Sequence, residues 1–173
     1  MMRLMLLAAL AAMSCSASSQ VANDGTFDAR ARALDGDTVA VDFRLLGVDA
    51  FERRQMCERR DGCWSCGKAA QDLPAKLLRS KTAKIKLTSS STYGRPVATV
   101  TIDGHDLGER LISAGLAVPE AQYLRGDPGR AARYEAAFAQ AKARKTGALA
   151  GRWIEPSKWR RGERLQCERP PAN

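Results

Sequence analysis

Short runs in which hydrophobic and polar residues alternate occupy much of the first hundred positions. Alternation with a period of two is typical of strands that are buried on one face only. Between two of the runs, Asp35–Gly36–Asp37 has the composition of a turn. The runs that predict strands are Thr26–Leu34, Thr38–Val41, Phe43–Val48, Ala83–Leu87 and Val97–Ile102.

Helical spacing of hydrophobic residues appears after the third strand and again in the second half of the chain. The predicted helices are Lys68–Leu78, Leu107–Ala114 (ended by Gly115) and Ala131–Lys145 (closed by Gly147). Pro74 lies inside the first helix, and we expect it to kink or split that helix. The polar stretch Asp49–Gly67 is predicted to be a long loop, and the tail Trp153–Asn173 to be extended.

The order of these elements indicates an α+β protein that is mainly β. Five short strands with an interposed helix suit a five-stranded Greek-key barrel of the OB-fold type, accompanied by about three helices. A chain of 173 residues can build one such hydrophobic core, and two full domains would be cramped.

The N-terminal segment 1–19 has the pattern of a signal peptide. A basic start at Arg3 precedes the apolar run Leu4–Met13, which is too short to span a bilayer as a helix. This predicts a secreted or periplasmic protein, with a domain at 20–160 and a basic C-terminal tail at 161–173. Cys15 stands where a lipid-anchor cysteine would stand, and we rank plain cleavage above lipidation.

Four cysteines remain after such a leader is removed: Cys57, Cys63, Cys66 and Cys167. In an exported protein they predict two disulfides, for which three connectivities exist. We favour Cys57–Cys66 as a local staple and Cys63–Cys167 as a tether for the tail. The alternative is a zinc site built on Cys63 and Cys66, which needs two further soft ligands nearby.

The formal net charge of +9 indicates affinity for a polyanion. Charge alone does not choose between nucleic acid, an acidic polysaccharide and an anionic membrane. The basic segment Glu155–Arg161, flanked by Trp153 and Trp159, either docks the tail or adds basic surface, and two tryptophans favour docking.

Three segments together carry a resemblance to a known family. They are Asp35–Gly36–Asp37–Thr38, Phe43–Arg44–Leu45–Leu46–Gly47–Val48–Asp49–Ala50–Phe51–Glu52 and Tyr93–Gly94–Arg95. Each is weak alone, but in this order they resemble the signature segments of staphylococcal-type nucleases. The similarity covers roughly Thr26–Trp159 and implies an OB-fold endonuclease that uses calcium to cut DNA and RNA with low sequence specificity.

The resemblance also implies a role for each matching residue. Arg44 and Arg95 match the phosphate-binding arginines and Glu52 the general base. The residues that match calcium ligands are Asp37, Asp49 and the Ala50 carbonyl, and those that match substrate-binding tyrosines are Tyr93 and Tyr123.

These residue types suit phosphodiester hydrolysis on chemical grounds as well. Carboxylate and carbonyl oxygens are ligands for a hard cation, which polarises phosphate and orients water. A glutamate accepts the proton of the attacking water, and guanidinium groups bind phosphate oxygens in pairs. Each side chain also has a purely structural reading, such as a turn cap for Asp35 or a core aromatic for Tyr123.

The sequence departs from the family pattern at three places. Phe51 stands where proline commonly precedes the glutamate, and extra cysteines follow it. Only Val39–Phe43 separates Thr38 from Arg44, which predicts a very tight hairpin around Val41–Asp42.

We therefore expect a calcium-dependent endonuclease acting on DNA and RNA. The alternatives are a non-catalytic nucleic-acid or polyanion-binding module and an accessory protein of exopolysaccharide metabolism. Retention of both arginines, the glutamate and both aspartates favours the enzyme.

The enzyme is predicted to act as a monomer on a nucleic-acid substrate. No stretch after the leader is long and apolar enough to predict a membrane span.

Overall fold

The computed structural model describes residues 26–169, which form a mixed α+β fold. Within these residues there are ten short strands, four α-helices and three 3-10 helices. The strands are β1 (Ala31–Ala33), β2 (Val39–Val41), β3 (Arg44–Leu45), β4 (Val48–Ala50), β5 (Cys57–Arg59), β6 (Gly62–Trp64), β7 (Ala83–Thr92), β8 (Arg95–Ile102), β9 (His105–Asp106) and β10 (Ala117–Pro119). The α-helices are α1 (Cys66–Leu78), α2 (Leu107–Ser113), α3 (Pro128–Ala143) and α4 (Pro156–Arg160), and the 3-10 helices are Ala121–Leu124, Gly147–Ala150 and Gln166–Glu168.

The largest sheet is organised around β8. Strand β7 pairs with it antiparallel from Ala83↔Ile102 to Thr92↔Arg95, with an irregularity between Leu87 and Ser91. Strand β3 pairs with β8 in parallel and β9 pairs with it antiparallel. Over residues 26–169 the other strands form three separate two-stranded ladders, β1–β2, β4–β10 and β5–β6. The strands do not close into a barrel there, so the mixed α+β class is present and the five-stranded barrel is not confirmed.

The predicted hairpin around Val41–Asp42 is wrong. Strand β2 pairs with β1, in the register Ala33↔Val39, and the chain reverses in the turn that contains Asp35–Gly36–Asp37. Strand β3 instead lies beside β8, with Arg44 opposite Val97. The segment around Val41–Asp42 has no glycine for a primed hairpin turn, whereas Asp35–Gly36–Asp37 has the composition of a turn and is stabilised by a hydrogen bond from the Asp37 nitrogen to Asp35.

The predicted strand Phe43–Val48 is divided in two. Gly47 has a φ of +67°, and an added Cβ would lie within 2.5 Å of the Leu124 side chain. A left-handed turn of this kind needs glycine because it avoids both backbone strain and this clash. The turn redirects the chain from β3, beside β8, to β4, beside β10.

The segment predicted as a long loop, Asp49–Gly67, contains regular structure. The hairpin β5–β6 pairs Cys57 with Trp64 across the two strands. Disulfides link Cys57 to Cys66 and Cys63 to Cys167, which are the two pairs that we favoured from the sequence. Since all four thiols are bonded, the zinc alternative is excluded for these cysteines.

Helix α1 is longer than predicted and passes through Pro74 without being split. Its buried positions Cys66, Gly67 and Ala70 lie in the first half, ahead of the proline. Packing of this face and the disulfide at Cys66 hold the helix in place, so the lost hydrogen bond at Pro74 is tolerated.

The core lies between the β4–β10 ladder, α2 and α3. Ile112 of α2 and Ala117 of β10 are fully buried, and Tyr134 of α3 packs in the same cluster. Asp106 caps α2 by accepting a hydrogen bond from the Glu109 backbone nitrogen. Helix α2 ends as predicted before Gly115, whose φ is +64°.

The tail is not extended, contrary to the prediction. Trp153 meets Phe51 edge-on at 5.7 Å between ring centroids and Phe138 at 6.4 Å, and Pro156 then begins α4. The Trp159 indole nitrogen donates to Glu168 Oε1 at 2.9 Å. Burial of the aromatic rings outweighs the freedom of an extended tail, and it places α4 beside β4.

The predicted leader at 1–19, with Cys15, lies outside the described residues. In the part of the chain that the structure covers, every helix is too short or too polar to cross a bilayer.

Candidate active site

A groove of about 840 Å³ runs between β3, β4 and the tip of the β7–β8 hairpin. Seven of the eight predicted site residues line it, although they are distant from one another along the chain. These seven are Arg44, Asp49, Ala50, Glu52, Tyr93, Arg95 and Tyr123. The same groove is also lined by Glu120 and Arg160, which the sequence analysis did not assign to the site.

The two predicted phosphate-binding arginines reach the groove from neighbouring strands. Arg44 lies on β3 opposite Val97, and Arg95 begins β8 two residues before that valine. Alternate residues of a strand point to the same face, so the parallel pairing of β3 with β8 brings the two guanidinium groups to one side of the sheet. Both arginines are half-buried.

Asp49 is the most deeply buried charged group of the groove, at 4% exposure. Strand β4 carries it, and the pairing of Asp49 with Val118 of β10 fixes its backbone. Its Oδ1 accepts a hydrogen bond of 2.8 Å from Nη1 of Arg160, and its Oδ2 accepts one of 2.8 Å from Nη2 of the same arginine. Arg44 lies 3.8 Å from Oδ1 as a second ion pair. A buried carboxylate needs such partners, because burial without them is costly.

Glu52 is half-buried and shares a donor with Asp49. Its Oε1 accepts a hydrogen bond of 2.7 Å from Nη1 of Arg160, the same nitrogen that binds Asp49 Oδ1. One guanidinium group therefore bridges the two carboxylates. Such charge-assisted bonds are the stronger kind in proteins.

The backbone of Glu52 is braced by a fully buried side chain. Gln55 Oε1 accepts from the Glu52 nitrogen at 3.0 Å, and the Gln55 nitrogen donates to the Glu52 oxygen at 2.7 Å. The Gln55 amide nitrogen donates to the Ile154 oxygen at 2.6 Å. The proposed base is thus fixed by a bridge to the segment that leads into α4.

Phe51 stands at the position where proline is common. Packing and a backbone hydrogen bond fix its conformation, whereas the ring of a proline would fix its own backbone. Phe51 is 3% exposed, contacts Trp153 edge-on and donates its backbone N–H to the Leu116 oxygen at 3.2 Å. A proline has no N–H to make that bond. Burial and pairing therefore define the turn that presents Glu52.

Asp37 is not brought into the groove with the others. It lies in the exposed turn between β1 and β2, where its Oδ1 accepts from the Thr38 hydroxyl at 3.1 Å. Asp35 Oδ1 accepts from the Asp37 backbone nitrogen at 3.2 Å, and this hydrogen bond is the main reason that the pKa of Asp35 is lowered. Asp35 has the turn-capping role that the sequence indicates.

The two tyrosines lie at the rim of the groove. Tyr93 is 80% exposed and adopts a φ of +52° in the β7–β8 turn, while Tyr123 is 67% exposed in the 3-10 helix Ala121–Leu124. Exposed aromatic rings beside a groove offer stacking surfaces for bases. The core reading of Tyr123 is wrong, since its ring faces solvent.

Glu120 adds a third carboxylate to the groove. Burial raises the pKa of this group, and the negative charge of Asp49 raises it further. Its backbone nitrogen is fixed by the Gly47 oxygen at 2.9 Å, and its Oε2 accepts from the Gln122 amide. No motif marks Glu120 in the sequence, because its position follows from the β4–β10 pairing.

Arg160 is the other residue that sequence reasoning missed. The available signal was the tryptophan-flanked basic segment, which predicted docking of the tail without saying which arginine would enter the site. Its partners lie 111 and 108 residues earlier in the chain. The hydrogen bonds that Arg160 donates to Asp49 are the main reason that its pKa is raised. Burial opposes this rise, and the hydrogen bond to Glu52 adds to it.

The donor chemistry of the groove fits a hard cation in kind. The carboxylates of Asp49 and Glu52 and the Ala50 carbonyl are oxygen ligands, and a positive group already lies between the two carboxylates. In residues 26–169 no set of three or more His, Cys, Asp or Glu side chains is close enough together to hold a metal ion. Asp37, which would supply the additional carboxylate, stays on its separate turn.

The chain matches one family of known proteins. The family model of the staphylococcal nuclease homologues matches residues 42–149, more than half of the chain. The match includes every groove residue from Arg44 to Tyr123, begins after the turn with Asp37 and ends before Arg160. A comparison with curated proteins found no match.

Proposed function

Because the chain belongs to the staphylococcal nuclease homologue family, we propose that it is an endonuclease that hydrolyses phosphodiester bonds of DNA and RNA with low sequence specificity. The observation that carries the proposal is the gathering of Arg44, Asp49, Glu52 and Arg95 in one groove. Guanidinium groups can stabilise the charge that develops on the phosphate oxygens, and a carboxylate can accept the proton of the attacking water.

In the proposed reaction, Arg44 and Arg95 bind the equatorial oxygens of the phosphate, where charge increases in the transition state. Glu52 accepts a proton from a water molecule that attacks phosphorus. The P–O bond to the 5′-oxygen breaks as the new P–O bond forms, and the 5′-oxygen leaves with its electron pair and takes up a proton. The bracing of Glu52 by Gln55 supports this role, since a base acts only from a fixed position.

We propose calcium as the cofactor, held by Asp49 and the Ala50 carbonyl. The ion supplies charge that polarises the phosphate and orients the water. Asp49 suits this use because its buried carboxylate already binds cationic partners, Arg160 and Arg44.

Tyr93 and Tyr123 are proposed to hold the substrate by stacking against its bases. Stacking on exposed rings is tolerant of sequence, and the net charge of +9 adds attraction to phosphate. Export is part of the proposal, since two disulfides are compatible with an extracellular or periplasmic protein. We propose that the protein acts as a monomer.

One observation favours a second candidate, a nucleic-acid-binding module without turnover. Arg160 donates to Glu52 Oε1 at 2.7 Å and to both oxygens of Asp49 at 2.8 Å, which is also the arrangement of a purely structural ion-pair network. In this case the arginines and tyrosines bind nucleic acid and no bond is cut.

A hydrolysis assay separates the two candidates. Fluorescently labelled single-stranded DNA and RNA are incubated with the protein in calcium or in chelator, and binding is measured by anisotropy. We expect cleavage in calcium that chelator abolishes. Binding without cleavage of either polymer would select the binding module, and cleavage that survives chelation would remove calcium from the proposal.

Variants then test the assigned roles. Arg44→Ala and Glu52→Ala are each expected to lower the turnover number by about a hundredfold or more while the protein still binds substrate. Arg144→Ala, which removes an exposed arginine at the end of α3, serves as the matched control and keeps the parent rate. Unchanged rates for the first two variants would remove those residues from the site.

A further inference from the structure

Arg160 fills the position between the two groove carboxylates. Its Nη1 lies 2.8 Å from Asp49 Oδ1 and 2.7 Å from Glu52 Oε1, and its Nη2 lies 2.8 Å from Asp49 Oδ2. Calcium binds carboxylate oxygens at about 2.3–2.6 Å. A positively charged nitrogen that contacts both carboxylates at little more than this distance uses the oxygens that a divalent cation needs.

The guanidinium group is delivered by a docked segment rather than by a free side chain. Pro156 at the start of α4 is buried, Trp159 donates to Glu168, and Cys167 is bonded to Cys63. Gln55 joins the two parts of the site, because it contacts both the Glu52 backbone and the Ile154 oxygen. The fold therefore keeps Arg160 beside Asp49 at a high effective concentration.

The charge of Arg160 does not depend on pH in any ordinary range. A guanidinium group stays protonated in proteins, and this one donates hydrogen bonds to both Asp49 and Glu52. A metal ion in solution must consequently displace a group that is itself positively charged.

We infer that Arg160 is a tethered competitor for the divalent cation, so that docking of α4 holds Asp49 and Glu52 in a metal-free, inactive state. The inference rests on the proposed function for the identity of the groove, and it adds a regulatory segment to it. A metal ion then binds the two carboxylates only as the Arg160 side chain withdraws from them. The apparent metal affinity is the intrinsic affinity reduced by the small fraction of molecules in which Arg160 is withdrawn.

Calorimetric titration with calcium, in the absence of nucleic acid, tests this competition directly. The full chain carrying Arg160→Gln is compared with the parent protein. Arg161→Gln, an exposed neighbour on the same turn with the same change of charge, is the matched control. We expect calcium to bind Arg160→Gln at least about tenfold more tightly than the parent, with Arg161→Gln close to the parent.

A second measurement guards against loss of stability in the variant. Arg160→Gln leaves the buried Asp49 with only the more distant Arg44, so its melting temperature is expected to fall. Calcium should then raise the melting temperature of Arg160→Gln by more than it raises that of the parent. If the variant does not fold even in calcium, the double variant Cys63→Ser/Cys167→Ser is titrated instead. It removes the covalent tether of the tail but keeps Arg160, and it is expected to bind calcium more tightly than the parent.

The outcomes are separate from those of the nuclease assay. Equal or weaker calcium binding by Arg160→Gln, or an equal gain in Arg161→Gln, overturns the competition whatever the nuclease activity is. Tighter binding in Arg160→Gln supports it even if no nucleic acid is cut, in which case only the proposed function fails.

Discussion

The ring of Trp153 meets the ring of Phe51 edge-on, with centroids 5.7 Å apart. This contact connects the residue before the proposed base to the segment that enters α4. A tail residue, Trp153, therefore packs against the residue that precedes Glu52. Arg160, also in the tail, binds the Glu52 carboxylate within the groove.

Shortening Phe51 is expected to destabilise the whole protein. Phe51→Ala removes a ring that is 3% exposed and leaves a cavity against Trp153, at a cost of about 3–5 kcal/mol in the free energy of unfolding. Urea denaturation followed by tryptophan fluorescence measures the change. Leu34→Ala, at a leucine that is 63% exposed, is the control and should change stability little. A cost below 1 kcal/mol for Phe51→Ala would contradict the packing role.

Helix α1 approaches the Glu52 loop so closely that only glycine fits at its second residue. A Cβ at Gly67 would lie 1.6 Å from the Glu52 carbonyl oxygen. Gly67→Ala is therefore expected to displace the Glu52 loop and to lower the rate of cleavage by about tenfold or more, since small displacements of reacting groups are costly.

The control for Gly67→Ala is Gly126→Ala, where an added Cβ meets nothing within 4 Å. Circular dichroism shows whether each variant keeps its helices. A Gly67→Ala protein with the parent rate would mean that the Glu52 loop tolerates displacement.

Glu120 predicts a pH-dependent effect on stability. Burial and Asp49 raise the pKa of Glu120 in the folded state, so the folded protein holds this proton more tightly than the unfolded chain does. The contribution is favourable below the unfolded pKa and is lost as the pH rises through the folded pKa. Glu120→Gln, which cannot ionise, should accordingly be more stable than the parent at pH 7–8, and the difference should disappear at acidic pH. Urea unfolding at both pH values checks this, and a variant that is less stable at pH 8 would contradict the assigned direction.

Tyr134 joins a buried polar network at the end of α2. Its hydroxyl donates to Asp106 Oδ1 at 2.7 Å and lies 3.3 Å from Nη1 of Arg130, which also pairs with Asp106. Tyr134→Phe should cost about 1–3 kcal/mol in the free energy of unfolding, because Asp106 loses a donor inside the protein. Tyr123→Phe, at an exposed ring, is the control for stability, and equal effects of the two variants would argue against the network.

Short-range sequence patterns correctly predicted the elements whose structure depends on residues that are close together in the sequence. Alternation identified β7 and β8, and Gly115 marked the end of α2, since a left-handed residue there requires glycine. The even number of thiols predicted two disulfides, and the structure contains the pairs that we favoured among the three connectivities. Seven groove residues were recognised because their segments resemble the signature segments of staphylococcal-type nucleases.

The errors arose where distant contacts decide the structure. The tail folds into α4 because Trp153 finds Phe51 and Phe138, which no pattern within the tail reveals. Strand β3 pairs with β8 rather than with its neighbour β2, and Arg160 enters the groove from more than a hundred residues away. Asp37 was expected beside Asp49, but the pairing of β1 with β2 places it in the exposed turn between these two strands.

The bond between Cys63 and Cys167 makes a covalent ring from most of the polypeptide. A single proteolytic cut at any peptide bond within that ring produces a nicked protein whose two pieces remain joined. Its mobility on a denaturing gel without reductant is that of one full-length molecule, and reductant releases the fragments. After a single cut within the ring, Arg95 and Arg160 therefore remain in one disulfide-linked molecule.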